Sequence, residues 1–273
     1  MTQLRKPAVA GLFYPSNPKK LKDEVLQFLN TSIPHTNPQK IFGIVSPHAG
    51  YVYSGSTAAY GFNTLRDKNI ETVIIISPSH KEYFPGVSIY NGDGYETPLG
   101  VIPVNREMAD KLVDGRGNIF RGIEGHRDEH AIEVQLPFLQ CVLDDFSIVP
   151  IVMGDQGLVF VEALANKLSE VVNDRTLLLA SSDLSHYYSA TEADQKDSVI
   201  EKDINDFNYE QLSNDLANRS CEACGAGPIL TIMKTAELNK TNKSLVLNRT
   251  HSGNVSGDYE QVVGYLSAVF YGE

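Results

Sequence analysis

Three apolar runs in this chain lead into a histidine. Ile41–Ser46 continues into Pro47-His48-Ala49-Gly50, and Val73-Ile74-Ile75-Ile76 continues into Ser77-Pro78-Ser79-His80. Thr176–Ser181 continues into Ser182-Asp183-Leu184-Ser185-His186. Neutral imidazole is a common ligand for iron, copper, zinc and nickel, and a thiolate or carboxylate usually completes such a set. Cys221, Cys224, Asp183, Glu129 and Glu133 are the candidates for that third group. For a single histidine a polar side chain in a turn or cap is the better reading, whereas three at successive strand ends shift the balance toward one site.

Two further clusters carry chemistry-bearing groups. Cys221-Glu222-Ala223-Cys224 is formally a C-x-x-C, but no second pair and no zinc-finger histidine spacing accompany it, so two buried thiols fit as well. His126-Arg127-Asp128-Glu129-His130, with Glu133 one helical turn beyond Glu129, gathers acids and imidazoles where a helix is expected to begin. Such a cluster can orient a metal ligand or carry a proton, and it also fits a solvated cap. His35 and His251 lie in polar stretches and read as surface residues.

The elements that must position these residues alternate. Asn17-Pro18 is an N-cap with proline at the first helical position, and Leu21, Val25, Phe28 and Leu29 follow at helical spacing to about Pro34. After the strand Ile41–Ser46, a helix is expected over 54–65, then a strand over 72–77. Short strands over Val87–Tyr90 and 101–104 flank a turn at Gly92-Asp93-Gly94. Asn105 can cap a helix to about Val113, and Ile132, Leu136, Leu139 and Leu143 predict a helix over 129–143 that Pro137 kinks or delays. Ser147–Met153 reads as a buried strand, with Pro150 confining it to an edge or bulge. Helices follow over 160–171, 192–207 and Tyr209–Ala217, with another holding Pro228, Ile229, Leu230 and Met233. Closing strands over 245–248 and 261–270 are joined by a glycine-marked flexible loop over 250–258. Pro7 to Pro15 has no period and reads as an irregular segment packed through Leu12, Phe13 and Tyr14.

Alternating strand and helix patterns favour a central mixed sheet flanked by helices, an α/β fold, and no linker-like tract divides residues 1–273 into two domains. His48, His80 and His186 then share the edge where loops converge over the strand ends. The formal charge of −11 argues against a nucleic acid or an anionic membrane as partner. Three cysteines, an odd number, fit a reducing compartment, no apolar run approaches membrane-span length, and the start lacks a signal-like apolar stretch, so a cytoplasmic protein is expected.

Six stretches in order resemble the Memo family, whose microbial members are also called AmmeMemoRadiSam system protein B. They are Val9-Ala10-Gly11-Leu12-Phe13-Tyr14-Pro15, Pro47-His48-Ala49-Gly50-Tyr51, Pro78-Ser79-His80, Asp128-Glu129-His130-Ala131-Ile132-Glu133, Ser181-Ser182-Asp183-Leu184-Ser185-His186 and Ala223-Cys224-Gly225. The resemblance implies a fold similar to the class III extradiol dioxygenases, which hold non-haem iron(II). It implies one divalent metal on His48, His80 and Cys224, with iron(II) expected and copper or zinc as competitors for a thiolate site. It further implies Asp183 and His186 as acid/base groups lining that site, with Glu129 and His130 supporting the ligands or the substrate. At Gly225-Ala226-Gly227-Pro228 the chain departs from vertebrate members, which carry Arg-His before the proline. The function expected is a metal-dependent oxidoreductase or dioxygenase. The alternative is a non-catalytic protein on the same scaffold that holds a small molecule or peptide in the metal cleft, or handles the metal itself. A closed structural zinc ranks below both, because only three protein ligands are assigned.

Overall fold

The computed structural model describes residues 3–272. Its first half holds β1 (Leu4–Arg5), α1 (Pro18–Thr31), β2 (Ile41–Ser46), α2 (Tyr51–Asn63), β3 (Thr72–Pro78), β4 (Val87–Tyr90), β5 (Gly94–Thr97) and β6 (Gly100–Pro103). Next come α3 (Arg106–Leu112), β7 (Ile119–Gly122), α4 (Leu136–Val142), β8 (Ser147–Met153), α5 (Leu158–Val171), β9 (Thr176–Ser181) and β10 (His186–Tyr188). The chain closes with α6 (Ala190–Asn205), α7 (Tyr209–Ala217), α8 (Ala226–Leu238), β11 (Lys243–His251), α9 (Gly253–Ser256) and β12 (Val262–Tyr271).

A nine-stranded mixed sheet runs β10-β12-β2-β9-β3-β8-β4-β7, with β11 also paired to β12. Its centre is parallel: β2 pairs with β9, β9 with β3, and β3 with β8. β12 and β4 join antiparallel on either side of that block. The reason lies in the sequence of β3, where Val73, Ile74, Ile75 and Ile76 are all fully buried. Alternate residues point to opposite faces, so Val73 and Ile75 pack with α1, α2 and α4, and Ile74 and Ile76 with α5 and α8. Each such side chain contributes about 1.5–3 kcal/mol. A sheet buried on both faces is the α/β architecture expected from the alternation.

Several elements differ from expectation. Helix α2 starts three residues early, because Gly50 leads straight out of the His48 turn and the Phe13 carbonyl accepts the first N–H, that of Tyr51, at 2.8 Å. Residues 129–132 are not helical. A 3-10 turn at Glu133–Gln135 precedes α4, and Pro137 falls in the first turn, where a missing N–H costs nothing. β8 lies inside the sheet despite Pro150; its ladder with β4 covers only residues 151–153, so Pro150 meets a local edge there. The expected flexible loop at 250–258 is instead the end of β11, paired as far as His251 with Gly264, followed by the helical turn α9. His251 is half-buried rather than a surface residue. Leu12, expected to pack, is 81% exposed. β5 and β7 have no counterpart in the pattern; β5 joins β1 and β6 in a small separate sheet. Among the described residues, no helix is long and apolar enough to cross a membrane.

Candidate metal centre

β2, β9 and β3 are parallel neighbours, so their carboxyl ends form one edge. Two residues beyond each end stand His48, Asp183 and His80 respectively. Asp183, not His186, therefore occupies the position equivalent to the two histidines. Cys224 reaches the same edge from the other direction, one residue before Gly225, which opens α8. Its N–H donates to the Asp183 carbonyl at 3.2 Å, and the Asp183 N–H donates to Cys224 Sγ at 3.3 Å. A Cβ on Gly225 would lie 2.4 Å from the Ser181 carbonyl oxygen, so only glycine lets the two loops close this tightly.

The hydrogen bonds fix how the imidazoles present themselves. Ser181 Oγ donates its only proton to the Ala131 carbonyl at 2.7 Å and accepts from Gln135 Nε2 at 2.9 Å. Its contact with His48 Nδ1, at 2.9 Å, must then use the second lone pair, so Nδ1 carries the hydrogen. His48 Nε2 is left bare, 3.2 Å from Cys224 Sγ. Burial, followed by His80 and His130, pushes the His48 pKa well below its ordinary value and keeps the ring neutral. On the other side, His80 Nδ1 lies 2.9 Å from Glu129 Oε1, and the His80 N–H donates to Oε2 at 2.6 Å. Burial alone would raise the Glu129 pKa, but the bonds from His130 and His80 outweigh it and hold the group well below the usual carboxylate range. An ionised Glu129 accepts the hydrogen bond from His80 Nδ1–H and leaves Nε2 free to face a metal, the arrangement in which a carboxylate orients a metal-binding imidazole.

His48, His80 and Cys224 each offer one ligand atom, and these atoms all lie within 4.8 Å of one another. With Zn–N or Zn–S type bonds of about 2.0–2.3 Å, one ion can bridge atoms as close as Nε2 and Sγ are here. Two bare ring nitrogens and a sulfur fit a transition metal, and the donor set favours a soft or borderline ion. The Cys224 thiol is pushed well above its ordinary range by burial and then by Asp183, so a metal must displace its proton. Asp183 is also raised by burial, against the His48 N–H that its Oδ1 accepts at 2.7 Å; its Oδ2 stands 3.9 Å from His48 Nε2. A second grouping, His80, Glu129 and His130, also has converging ligand atoms, but the Glu129 oxygens there are occupied by the bonds just described.

His130 presses its ring against both candidate ligand histidines, with centroids 4.8 Å from His80 and 5.3 Å from His48. Its Nδ1 lies 3.2 Å from Glu129 Oε1. His186 stands at the rim: it acts electrostatically on His48 and Asp183, while its N–H donates to Glu222 at 3.3 Å. Asp183 bonds the His48 backbone, not His186. Glu133 and His126 turn away from the centre; His126 bonds the Tyr95 hydroxyl and is pushed down to about 3 by burial. Cys221 is buried and unbridged, as are the other two cysteines unbridged. Ser181, Gln135 and Phe13 are parts of the site that pattern reading missed. A faint signal existed, because a serine (Ser46, Ser77, Ser181) closes each of the three apolar strands.

Comparison with known proteins agrees along nearly the whole chain. A family model described as Memo-like protein matches residues 5–269. A MEMO1 family protein of Thermoplasma volcanium is 39% identical over 97% of this chain and 98% of its own. One of Thermotoga petrophila is 39% identical over 98% and 99%. The crystal structure of an uncharacterized protein from Escherichia coli K12 overlaps 73% of this chain and 86% of its own, at 14% identity and a TM-score of 0.47.

Proposed function

This chain belongs to the Memo-like family, and from that premise we propose that it holds one divalent metal, iron(II), on His48, His80 and Cys224 and acts as a dioxygenase-like oxidoreductase on a small molecule. The observation that carries the metal is the bare Nε2 of His48, its tautomer set by Ser181, facing Cys224 Sγ at 3.2 Å. When bound, iron(II) on three protein ligands supplies a Lewis acid with positions open to substrate and dioxygen. The protein's own part is orientation and proton handling. Ser181 and Glu129 aim the two imidazoles, and Asp183 ties the His48 loop to the Cys224 loop through its carboxylate and backbone. The Glu129–His130 pair can move a proton beside the ligands, with His186 as a second donor at the rim and buried Asp183 able to retain one.

The thiol favours a second reading. Sulfur in place of a carboxylate softens the site toward copper or zinc, which suits a protein that handles metal or holds a peptide in the cleft without chemistry. Three free cysteines agree with a reducing compartment, the cytoplasm, and a charge of −11 with partners other than nucleic acid or anionic membranes. The test begins with anaerobic purification and metal analysis of the parent, His48→Ala and Cys224→Ser. Full metal content in both variants would sink the ligand set. Oxygen uptake is then followed with catechols on the iron(II)-loaded parent: uptake supports ring cleavage, and its absence favours metal handling.

A further inference from the structure

We propose that residues 5–14 form a strap that positions both ligand loops, with Glu133 as its anchor; the inference rests on the metal-binding reading. Glu133 is fully buried yet faces away from the metal centre. Its carboxylate collects the Ala8 N–H at 2.7 Å, the Val9 N–H at 3.0 Å, the Tyr14 hydroxyl at 2.5 Å and the Arg5 guanidinium. Arg5, also buried, donates to the backbone carbonyls of Glu129 and His126 as well. Burying an ion pair is costly unless each polar atom is met, and here the partners come from two separate stretches of chain.

The contacts of the strap reach both sides of the centre. The Phe13 carbonyl accepts the Tyr51 N–H, three residues past His48, at the start of α2. The Phe13 ring lies 4.9 Å from His130, whose neighbour Glu129 holds His80. Arg5 fixes the carbonyl of that same Glu129. One anchored segment therefore sets the position of the His48 turn and of the carboxylate that orients His80. Glu133 and Arg5 touch neither ligand nor substrate position, and so act as positioning residues.

The test uses cobalt(II), whose visible absorption and sulfur charge-transfer band report coordination geometry. Affinity and spectrum are measured for the full chain, Glu133→Gln, Tyr14→Phe and Leu168→Ala, the last removing a buried side chain at the far end of α5 as a control for lost stability. Glu133→Gln should weaken cobalt binding about 10–100-fold and alter the spectrum, the scale seen when groups supporting metal ligands are removed. Tyr14→Phe, which deletes one of the four bonds, should move both readouts the same way by less, and it decides the matter if Glu133→Gln does not fold. Leu168→Ala should lower the thermal midpoint and leave the spectrum unchanged. Parental affinity and spectrum in Glu133→Gln, or in Tyr14→Phe where the former does not fold, would overturn the strap's role, as would equal spectral change in the control. A parent chain that binds no cobalt would instead overturn the metal reading, and the strap's role with it.

Discussion

Replacing Ser181 by alanine tests whether the hydroxyl sets the His48 tautomer. The oxygen is fully buried and serves three groups: His48 Nδ1 at 2.9 Å, Gln135 Nε2 at 2.9 Å and the Ala131 carbonyl at 2.7 Å. Gln135 keeps its second bond, to the Pro47 carbonyl at 3.0 Å, but one of its N–H groups is stranded. A buried polar group left without a partner costs about 1–3 kcal/mol. Three such groups around one hub do not add fully, so a loss near 3–5 kcal/mol is expected, about what a large cavity in the core costs. The second effect is on the metal. Without an acceptor at Nδ1 the ring can rotate or shift its proton to Nε2, and affinity should fall about 10–100-fold, or about 1.4–2.7 kcal/mol. Urea unfolding reads the first quantity and competition with a chromophoric chelator reads the second. If stability drops while affinity stays within about twofold of the parent, the serine braces the strand ends and does not set the imidazole. If neither changes, the hydrogen-bond assignment is wrong.

Three further outcomes follow from the same geometry. Burial keeps the Cys224 thiol protonated and His48 neutral, so metal uptake near neutral pH should release about one proton from the thiol, and affinity should rise about tenfold per pH unit. Calorimetry in buffers of different ionisation heat measures this, and a count near zero refutes it. Asp203 is raised to about 6 by burial and then by the Asp215 carboxylate. The native state thus holds this proton more tightly than the unfolded chain, whose aspartates titrate near about 3.9, and the penalty present above both values is relieved as pH falls through that window. Asp203→Asn should be more stable than the parent at pH about 8, with urea midpoints converging toward pH about 4; parallel curves would refute the assignment. Gly225→Ala drives a Cβ to 2.4 Å from the Ser181 carbonyl, so it should cost about 1–3 kcal/mol and displace Cys224, seen as a lower thermal midpoint together with weaker metal binding. A change in midpoint alone would show that the loop moves without the sulfur.

What could be read from the chain follows the physics of each element. Strands β2, β3 and β9 are nearly continuous apolar runs because both faces are buried, and such runs announce themselves; since parallel neighbours end on one edge, so does whatever follows them. That is why His48 and His80 stand out. Cys224 is different, for it precedes a helix whose start carries no side-chain cap, and nothing in its spacing from Cys221 marks it; only the resemblance to the Memo family does. His186 lies away from the two histidines because four residues separate it from the end of β9, enough for the chain to turn and begin β10, which left Asp183 at the edge instead. β11 was foreseen at less than half its length, since Arg249, Thr250 and His251 are polar residues held by the ladder to β12 rather than by an apolar face.

The separation of Glu129 from Glu133 shows where periodicity fails and why the site needs the failure. Four residues apart on a helix, the two carboxylates would share one face and one environment. The chain over 129–132 is not helical, and the 3-10 turn begins at Glu133 itself, so the pair diverges. Glu129 turns toward His130 and His80 and is held ionised by their hydrogen bonds, while Glu133 turns back to Arg5 and the strap. Had the helix started at Glu129, its carboxylate would have faced Arg5 as well, and His80 would lack the acceptor that leaves its Nε2 available. The local pattern Glu-x-x-x-Glu is compatible with either geometry; what decides is Pro137, which places the first helical turn at Leu136 and leaves the preceding stretch free to bend around the imidazoles.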